Sequence, residues 1–421
     1  MTLFPSALPL AYLDPGSGSA LVGTIIALAG AALFSAKSLF YRLLGRKHPA
    51  GAAIGDDSIA LFSEGRNYWS TFRPIVEELI RRQINFRYYT FDLLDPALEI
   101  EAPCMQARLF DSHSPAAHVK LARVKAPVML ATTPNIGSEG YPVKRPMGVR
   151  NLIHVFHAFA DVSAYHLGSL DHYDTVILVG PHQVAPIRQV EAARGLPAKE
   201  LAAIGLPYVD DQAQRLADRP APPRRPLPTV LVASSWGPKG CLREYGTDFI
   251  RQLADAGFSV IVRPHPQSYV TEADFLARCE RETAGLERIR WDRATVGLDA
   301  MAESDILVSD TSSIRFDYAF LFGKPVVTLA IPRERQTAYE SIYMDRVWTE
   351  EAAARIGAVV GRADIASLAD RVRDVLARAP AQTLAGYRDE IIANFGHSAP
   401  VIVAFLEEKR QAVLKEGRRA P

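Results

Sequence analysis

An α/β protein built from two doubly wound domains is what the sequence predicts, on three observations. Short apolar runs alternate with helix-period segments through most of residues 56–330. The loops after those runs, most clearly in the second half, carry Ser, Gly, His and Asp, and open parallel sheets place their ligands at that edge. Between the halves stands Arg219-Pro220-Ala221-Pro222-Pro223-Arg224-Arg225-Pro226-Leu227-Pro228, which neither a helix nor a central strand tolerates and which therefore reads as an interdomain linker. A chain of 421 residues, 48% hydrophobic and 23% charged, is long enough for two full cores. A net charge of +1 gives no whole-chain case for nucleic acid as a partner. Cys104, Cys241 and Cys279 are scattered and odd in number, which points to a reducing compartment without disulfides.

The organisation expected is a lead-in over 1–18, a transmembrane anchor over 19–42, a first domain over 56–215, the linker over 219–228, a second domain over 229–395, and a C-terminal helix with a basic tail over 396–421. The anchor rests on the uncharged run from Ala20 to Ala36, at the short end of the roughly 17–25 residues that span a bilayer. Lys37, Arg42, Arg46 and Lys47 all follow the run and no Lys or Arg precedes it, so the positive-inside rule puts the domains on the cytoplasmic face of the membrane. A cleavable signal peptide would carry its basic residues first. The competing reading is a buried or interfacial Gly/Ala-rich helix. At the other end, Lys409, Arg410, Lys415, Arg418 and Arg419 are either a lipid contact or a solvated helix end.

In the first domain Ser58–Phe62 reads as a strand, 69–82 as a helix with Phe72, Ile75, Val76, Leu79 and Ile80 on one face, and Asn85–Phe91 as the next strand. Glu64 and Arg66 sit in the loop after the first strand and are acceptor-site candidates, against the reading of ordinary solvated charges. Further strands are expected at Arg108–Phe110, Val128–Thr132, Asn151–Phe156 and Thr175–Val179. Leu201–Asp210 reads as a turn with an apolar entry. Five of the ten histidines fall between His154 and His182, but His154-x-x-His157 at a strand end turns the two rings to opposite faces, so no metal is expected. His157, at a strand's C-terminal end before small residues, suits a general base.

In the second domain Thr229–Ala233 is an expected strand ending in Ser234 and Ser235. One helix is expected over 242–256. The strand Phe258–Val262 runs into Arg263-Pro264-His265-Pro266, a cationic pair with its direction fixed by proline. The run Ser304–Leu329 reads as strand, turn, helix, strand, with Asp310-Thr311-Ser312-Ser313 at the helix start. These residues either cap the helix or present hydroxyls and free N–H groups to a phosphate. In a parallel sheet the three loops would converge on one edge. After Leu329 mixed helices are expected.

His265-Pro266, Ser309-Asp310-Thr311-Ser312-Ser313 with Phe316-Asp317-Tyr318, and Lys324-Pro325-Val326 resemble the CDP-glycerol glycerophosphotransferase family, the teichoic-acid primases and polymerases. Upstream, the stretch from His157 through Tyr173-Asp174 to Gly205-Leu206-Pro207-Tyr208-Val209-Asp210 resembles that family's HGTP segment, YD strand and G-x-P-x-x-D turn. The resemblance covers roughly residues 150–330. It implies a GT-B-like pair of Rossmann-type domains facing a cleft, and a transferase working at the cytoplasmic membrane face. It makes His157 the acceptor-activating base and His265 an assistant at the donor phosphates. It makes Ser312 and Ser313 the holders of those phosphates; on the reading of the residues above, Arg263 and Thr311 join them as phosphate contacts, with Ser234, Ser235, Asp310 and Asp317 as their support. The partners implied are a nucleotide-activated donor, CDP-linked and acting as substrate rather than cofactor, and a lipid-linked or membrane-borne acceptor. Two departures stand out. Ala158-Phe159-Ala160 replaces Gly-Thr-Pro after the histidine, and Ser234-Ser235-Trp236-Gly237 replaces an aromatic-Pro-Thr-x-Arg pattern. They leave room for a nucleotide-sugar glycosyltransferase of the same fold, or for a non-catalytic membrane-tethered binding protein. A UDP-sugar 2-epimerase shares the fold but would carry several acidic residues in the cleft and no anchor.

Overall fold

Thirteen strands divide between two all-parallel sheets in the computed structural model, which describes residues 54–110, 116–159, 162–220, 225–238, 240–294, 297–331, 339–378 and 381–419. The expected anchor, the lead-in and the middle of the Pro-rich linker lie outside these residues. Among the described residues no helix is long and apolar enough to cross a membrane.

The first sheet holds β1 (Ile59–Ser63), β2 (Phe86–Thr90), β3 (Met105–Leu109), β4 (Lys125–Ala131), β5 (Gly148–Val155), β6 (Thr175–Leu178) and β7 (Glu200–Ala203), in the order β3-β2-β1-β4-β5-β6-β7. The second holds β8 (Thr229–Ser234), β9 (Ser259–Pro264), β10 (Ile289–Trp291), β11 (Ile306–Ser309), β12 (Val326–Leu329) and β13 (Gly357–Val360), in the order β10-β9-β8-β11-β12-β13. Both are doubly wound: the order reverses between β1 and β4 and again between β8 and β11. Those are the points where helices diverge to opposite faces and leave a crevice at the strands' C-terminal ends. The central strands are apolar on both faces because both are covered. Along β1, Ala60 and Phe62 enter one core while Ile59 and Leu61 enter the other.

Several elements depart from the sequence expectation. The helix foreseen over 242–256 is two, Cys241–Tyr245 and Asp248–Asp255, broken where Gly246 takes a φ of 70° that side-chain-bearing residues avoid. The stretch entering the 201–210 turn begins as the edge strand β7, and β13 interrupts the helices expected after Leu329. The C-terminal helix, Ser398–Arg419, packs on the first sheet, not on the domain that precedes it. Its Ala399, Ile402, Val403 and Leu406 are buried with Leu61, Val128, Leu130 and Ile153. Its basic residues are partly engaged: Lys409 pairs with Glu200 at 2.5 Å and Arg410 with Glu407 at 2.7 Å.

The crossing back is held by the motif around Gly205. Asp210 accepts hydrogen bonds from the Ser398 hydroxyl (2.9 Å) and the Ala399 amide (2.8 Å). A side chain at Gly205 would collide with the Ala393 carbonyl, so only glycine lets the returning chain approach. Residues 54–421 form one compact unit as a result.

Candidate functional site

The reversal point of each sheet carries one half of the candidate site. On the first sheet, β1 leads into Glu64, β4 into Thr132 and β5 into His157, and these three strands are neighbours. His157 Nδ1 lies 3.0 Å from Thr132 Oγ1, and the ring meets Tyr68 edge-on with centroids 5.0 Å apart. Burial pulls the imidazole below its usual range, and the Thr132 backbone opposes that by stabilising the protonated ring. An acceptor at Nδ1 favours the tautomer with its proton there. The Nε2 lone pair has no hydrogen-bond partner among the described residues. A neutral imidazole with an unengaged Nε2 is what a general base requires at neutral pH. His154, on the strand itself, is fully buried, meets Tyr165 OH at 3.0 Å through Nε2, and is pushed down to about 3 by burial, so it stays neutral and structural.

Glu64 accepts a hydrogen bond from Tyr141 OH at 2.9 Å, and burial raises its pKa. Arg66, its companion in the sequence reading, pairs instead with Asp92 at 3.2 Å and stands half exposed at the rim. Tyr68, Thr132 and Tyr141 escape sequence reasoning: a lone threonine at a strand end and a tyrosine within an aperiodic loop carry no signal of their own.

On the second sheet the three expected loops follow β9, β8 and β11, which are adjacent. Buried Asp310 ties together the loops after β8 and β11. Its carboxylate accepts from the Ser235 hydroxyl (2.5 Å), the Ser235 amide (2.8 Å), the Cys241 amide (2.7 Å) and the Ser312 amide (3.0 Å), with Ser234 Oγ at 3.4 Å. Ser234 and Ser235 are therefore spent on building the turn. The hydroxyls of Thr311, Ser312 and Ser313 make no hydrogen bond to any described residue, and Ser313, the N-cap of the helix Ile314–Phe322, provides no side-chain cap. Asp310 takes the Ser312 amide and Ser313 does not cap its helix, so capping leaves the three hydroxyls unaccounted for, in an arrangement at a helix N-terminus that suits an anion.

His265 is exposed, and its Nδ1 accepts from the Gln267 amide at 3.1 Å, which leaves Nε2 as the N–H donor of the neutral ring. Partial desolvation of the ring and the Arg263 charge lower its pKa, while Asp310 opposes them. Thus His265 is set to donate where His157 is set to accept. Arg263 is buried and pairs with Asp292 at 2.6 Å, so part of its charge is already satisfied. Asp317 does not join the group: its Oδ1 is buried with no hydrogen-bond partner among the described residues, its carboxyl faces Tyr208 of the first domain, and burial raises its pKa to about 7. Lys324 donates to the carbonyls of Ala302 (2.8 Å) and Ser304 (2.5 Å), closing the helix Leu298–Glu303. Among the described residues no three His, Cys, Asp or Glu side chains cluster as metal ligands.

No family profile and no curated protein matches the sequence. Solved structures match it across the fold. The wall teichoic acid polymerase TagF, soaked with CDPG, aligns over 93% of this chain and 97% of its own at 14% identity with a TM-score of 0.54. A UDP-GlcNAc 2-epimerase from Methanocaldococcus jannaschii, in complex with UDP-GlcNAc and UDP, aligns over 83% and 99% at 12% identity with a TM-score of 0.54. A glycosyltransferase from Rickettsia africae ESF-5 aligns over 85% and 98% at 12% identity with a TM-score of 0.51. The pair of Rossmann-like parallel-sheet domains is thus the GT-B-like fold.

Proposed function

We propose that this protein is a transferase of cell-envelope synthesis that moves a polyol-phosphate group, glycerol-phosphate-like, from a CDP-activated donor to a lipid-linked or surface-glycan acceptor at the cytoplasmic membrane. The observation that carries the reading is the pairing of two unlike crevices. One presents a neutral histidine whose Nε2 bonds to none of the described residues. The other presents hydroxyls that bond to none of the described residues, at a helix N-terminus beside an N–H-donating histidine. In the reaction the acceptor hydroxyl gives its proton to His157 Nε2 as its oxygen attacks the distal phosphorus of the donor. The P–O bond to the nucleotide phosphate breaks, and CMP leaves with the bonding pair. Thr311, Ser312, Ser313 and His265 hold the phosphate oxygens as that charge develops. Glu64 and Tyr141 line the acceptor side.

The second reading, a nucleotide-sugar glycosyltransferase of the same fold, draws on the replacement of Gly-Thr-Pro by Ala158-Phe159-Ala160. A panel of CDP, CMP, UDP and GDP compounds in thermal unfolding separates the two, because a ligand that binds only the folded state raises its stability by mass action. Stabilisation by cytidine compounds is expected; selective stabilisation by uridine compounds moves the assignment to the second reading. His157→Ala is expected to cut turnover by about 100-fold or more while leaving nucleotide binding and melting temperature unchanged. Near-normal turnover in that variant removes the base from His157.

A further inference from the structure

The replaced segment after His157 reaches the other domain. Phe159, two residues past His157, is 2% exposed, and its ring meets Phe320 at 5.4 Å and Phe316 at 6.5 Å, both edge-on. Phe316 lies in the first turn of the helix Ile314–Phe322, three residues after Ser313. It stacks on Trp348 at 4.7 Å, and Trp348 in turn lies 4.4 Å from the His182 ring, back in the first domain. An aromatic chain therefore joins the loop of the base to the helix that holds the phosphate cluster. Aromatic pairs at these separations prefer a defined geometry and so transmit position, not only burial.

We propose that Phe159 is a positioning residue: by packing edge-on against the stacked pair Phe316 and Phe320 it fixes the His157 loop relative to the phosphate-binding helix, so that the acceptor base and the donor grip move as one. The inference rests on the base role given to His157 above, and it accounts for the departure from Gly-Thr-Pro. A segment of small residues and proline sets a loop by its own backbone; a phenylalanine sets it by what it packs against. The shielding of His157 depends on that loop staying in place. Among the described residues, the titratable groups in contact or coupled with the imidazole are Tyr68, from the turn after β1, and His154, on its own strand, with Thr132 at Nδ1.

The test is an imidazole NMR titration of the full-length protein, with the His157 resonance identified as the one lost in His157→Gln. Wild type is expected to titrate below the usual 6.5 or so of histidine. Phe159→Ala is expected to raise the midpoint by about half a unit or more by admitting water to the ring. Phe320→Ala, which alters only the opposite domain, is expected to shift it the same way, and Phe159→Leu to restore most of it. Turnover falls in parallel, about ten-fold for Phe159→Ala, with nucleotide affinity within about two-fold of wild type. If Phe159→Ala and Phe320→Ala lower the melting temperature but leave the His157 midpoint in place, Phe159 is core packing alone and the proposal is overturned. Should the alanine variants not fold, Phe159→Leu and Phe320→Leu are read by the same criterion. Because the titration needs no substrate, its outcome is separate from that of His157→Ala, which tests the base itself.

Discussion

At the scale of single residues the site separates groups that touch a substrate from groups that build the place where it binds. Asp310 belongs to the second kind: fully buried, it spends its carboxylate on the amides of Ser235, Cys241 and Ser312 and on the Ser235 hydroxyl. Asp310→Ala strands those donors, and a buried unsatisfied group costs about 1–3 kcal/mol. The expected loss is roughly 2–4 kcal/mol in denaturant unfolding, with nucleotide affinity lost in the same variant. An unchanged unfolding midpoint would show that water replaces the carboxylate and that the loops stand without it. His157 is of the first kind. Its pKa is held below the ordinary histidine value by burial, and it acts as a base only when neutral. Activity therefore falls as pH drops through that lowered pKa, and the acidic limb of kcat/KM lies below about 6.5. A limb at or above that value in the wild type, or one that persists in His157→Gln, assigns the titration to another group.

Among the elements, the helix Ile314–Phe322 carries the sharpest discrimination. An N-cap serine that bonds its helix is worth typically about 1 kcal/mol, but the Ser313 hydroxyl makes no such bond. Ser313→Ala is thus expected to change stability by less than about 0.5 kcal/mol while weakening nucleotide binding several-fold. Equal losses of stability and affinity would return Ser313 to the cap role. Much at this scale was legible from sequence. Both sheets, the loops at their reversal points and the helix over 69–81 follow from apolar period and turn residues. The edge strands β7 and β13 were not: Glu200–Ala203 and Gly357–Val360 are four residues each, mostly half-buried or exposed, and show no alternation of apolar and polar positions. Nor does motif spacing tell a ligand contact from a staple. Asp174 accepts from the Leu152 amide at 2.7 Å, Asp210 pins the C-terminal helix, and Lys324 closes a helix end. Each stands in a motif of the resemblance, and each is engaged in holding the fold.

Over the whole molecule the two domains are joined by side chains as well as by chain crossings. Glu340, after β12, accepts from the Gly168 amide at 2.8 Å and from Arg194 at 3.1 Å, and His166 stacks on Tyr339 with centroids 4.5 Å apart. Asp317 faces Tyr208 across the same boundary, its pKa raised from 3.8 to about 7 by burial. That gives the assembled molecule a pH dependence whose sign can be worked out. Below about pH 4 the carboxyl is protonated in folded and unfolded chains alike, and its contribution is fully present. Between about 4 and 7 the unfolded chain ionises while the folded one keeps its proton, so stability falls as pH rises and levels off once the folded carboxyl ionises. Asp317→Asn cannot ionise. It should match wild type near pH 4 and exceed it by roughly 1–3 kcal/mol at pH 8, where the partial exposure of the residue keeps the gap below the full value of the shift. Asp210, raised to about 6 by burial, slopes the same way in both proteins and cancels in the comparison. Urea unfolding at pH 4, 6 and 8 reads the difference directly. A gap that does not widen with pH would mean that Asp317 enters the interface already ionised, with a cation or water supplied to it, and that the domains meet through a polar contact where the structure shows a shielded acid.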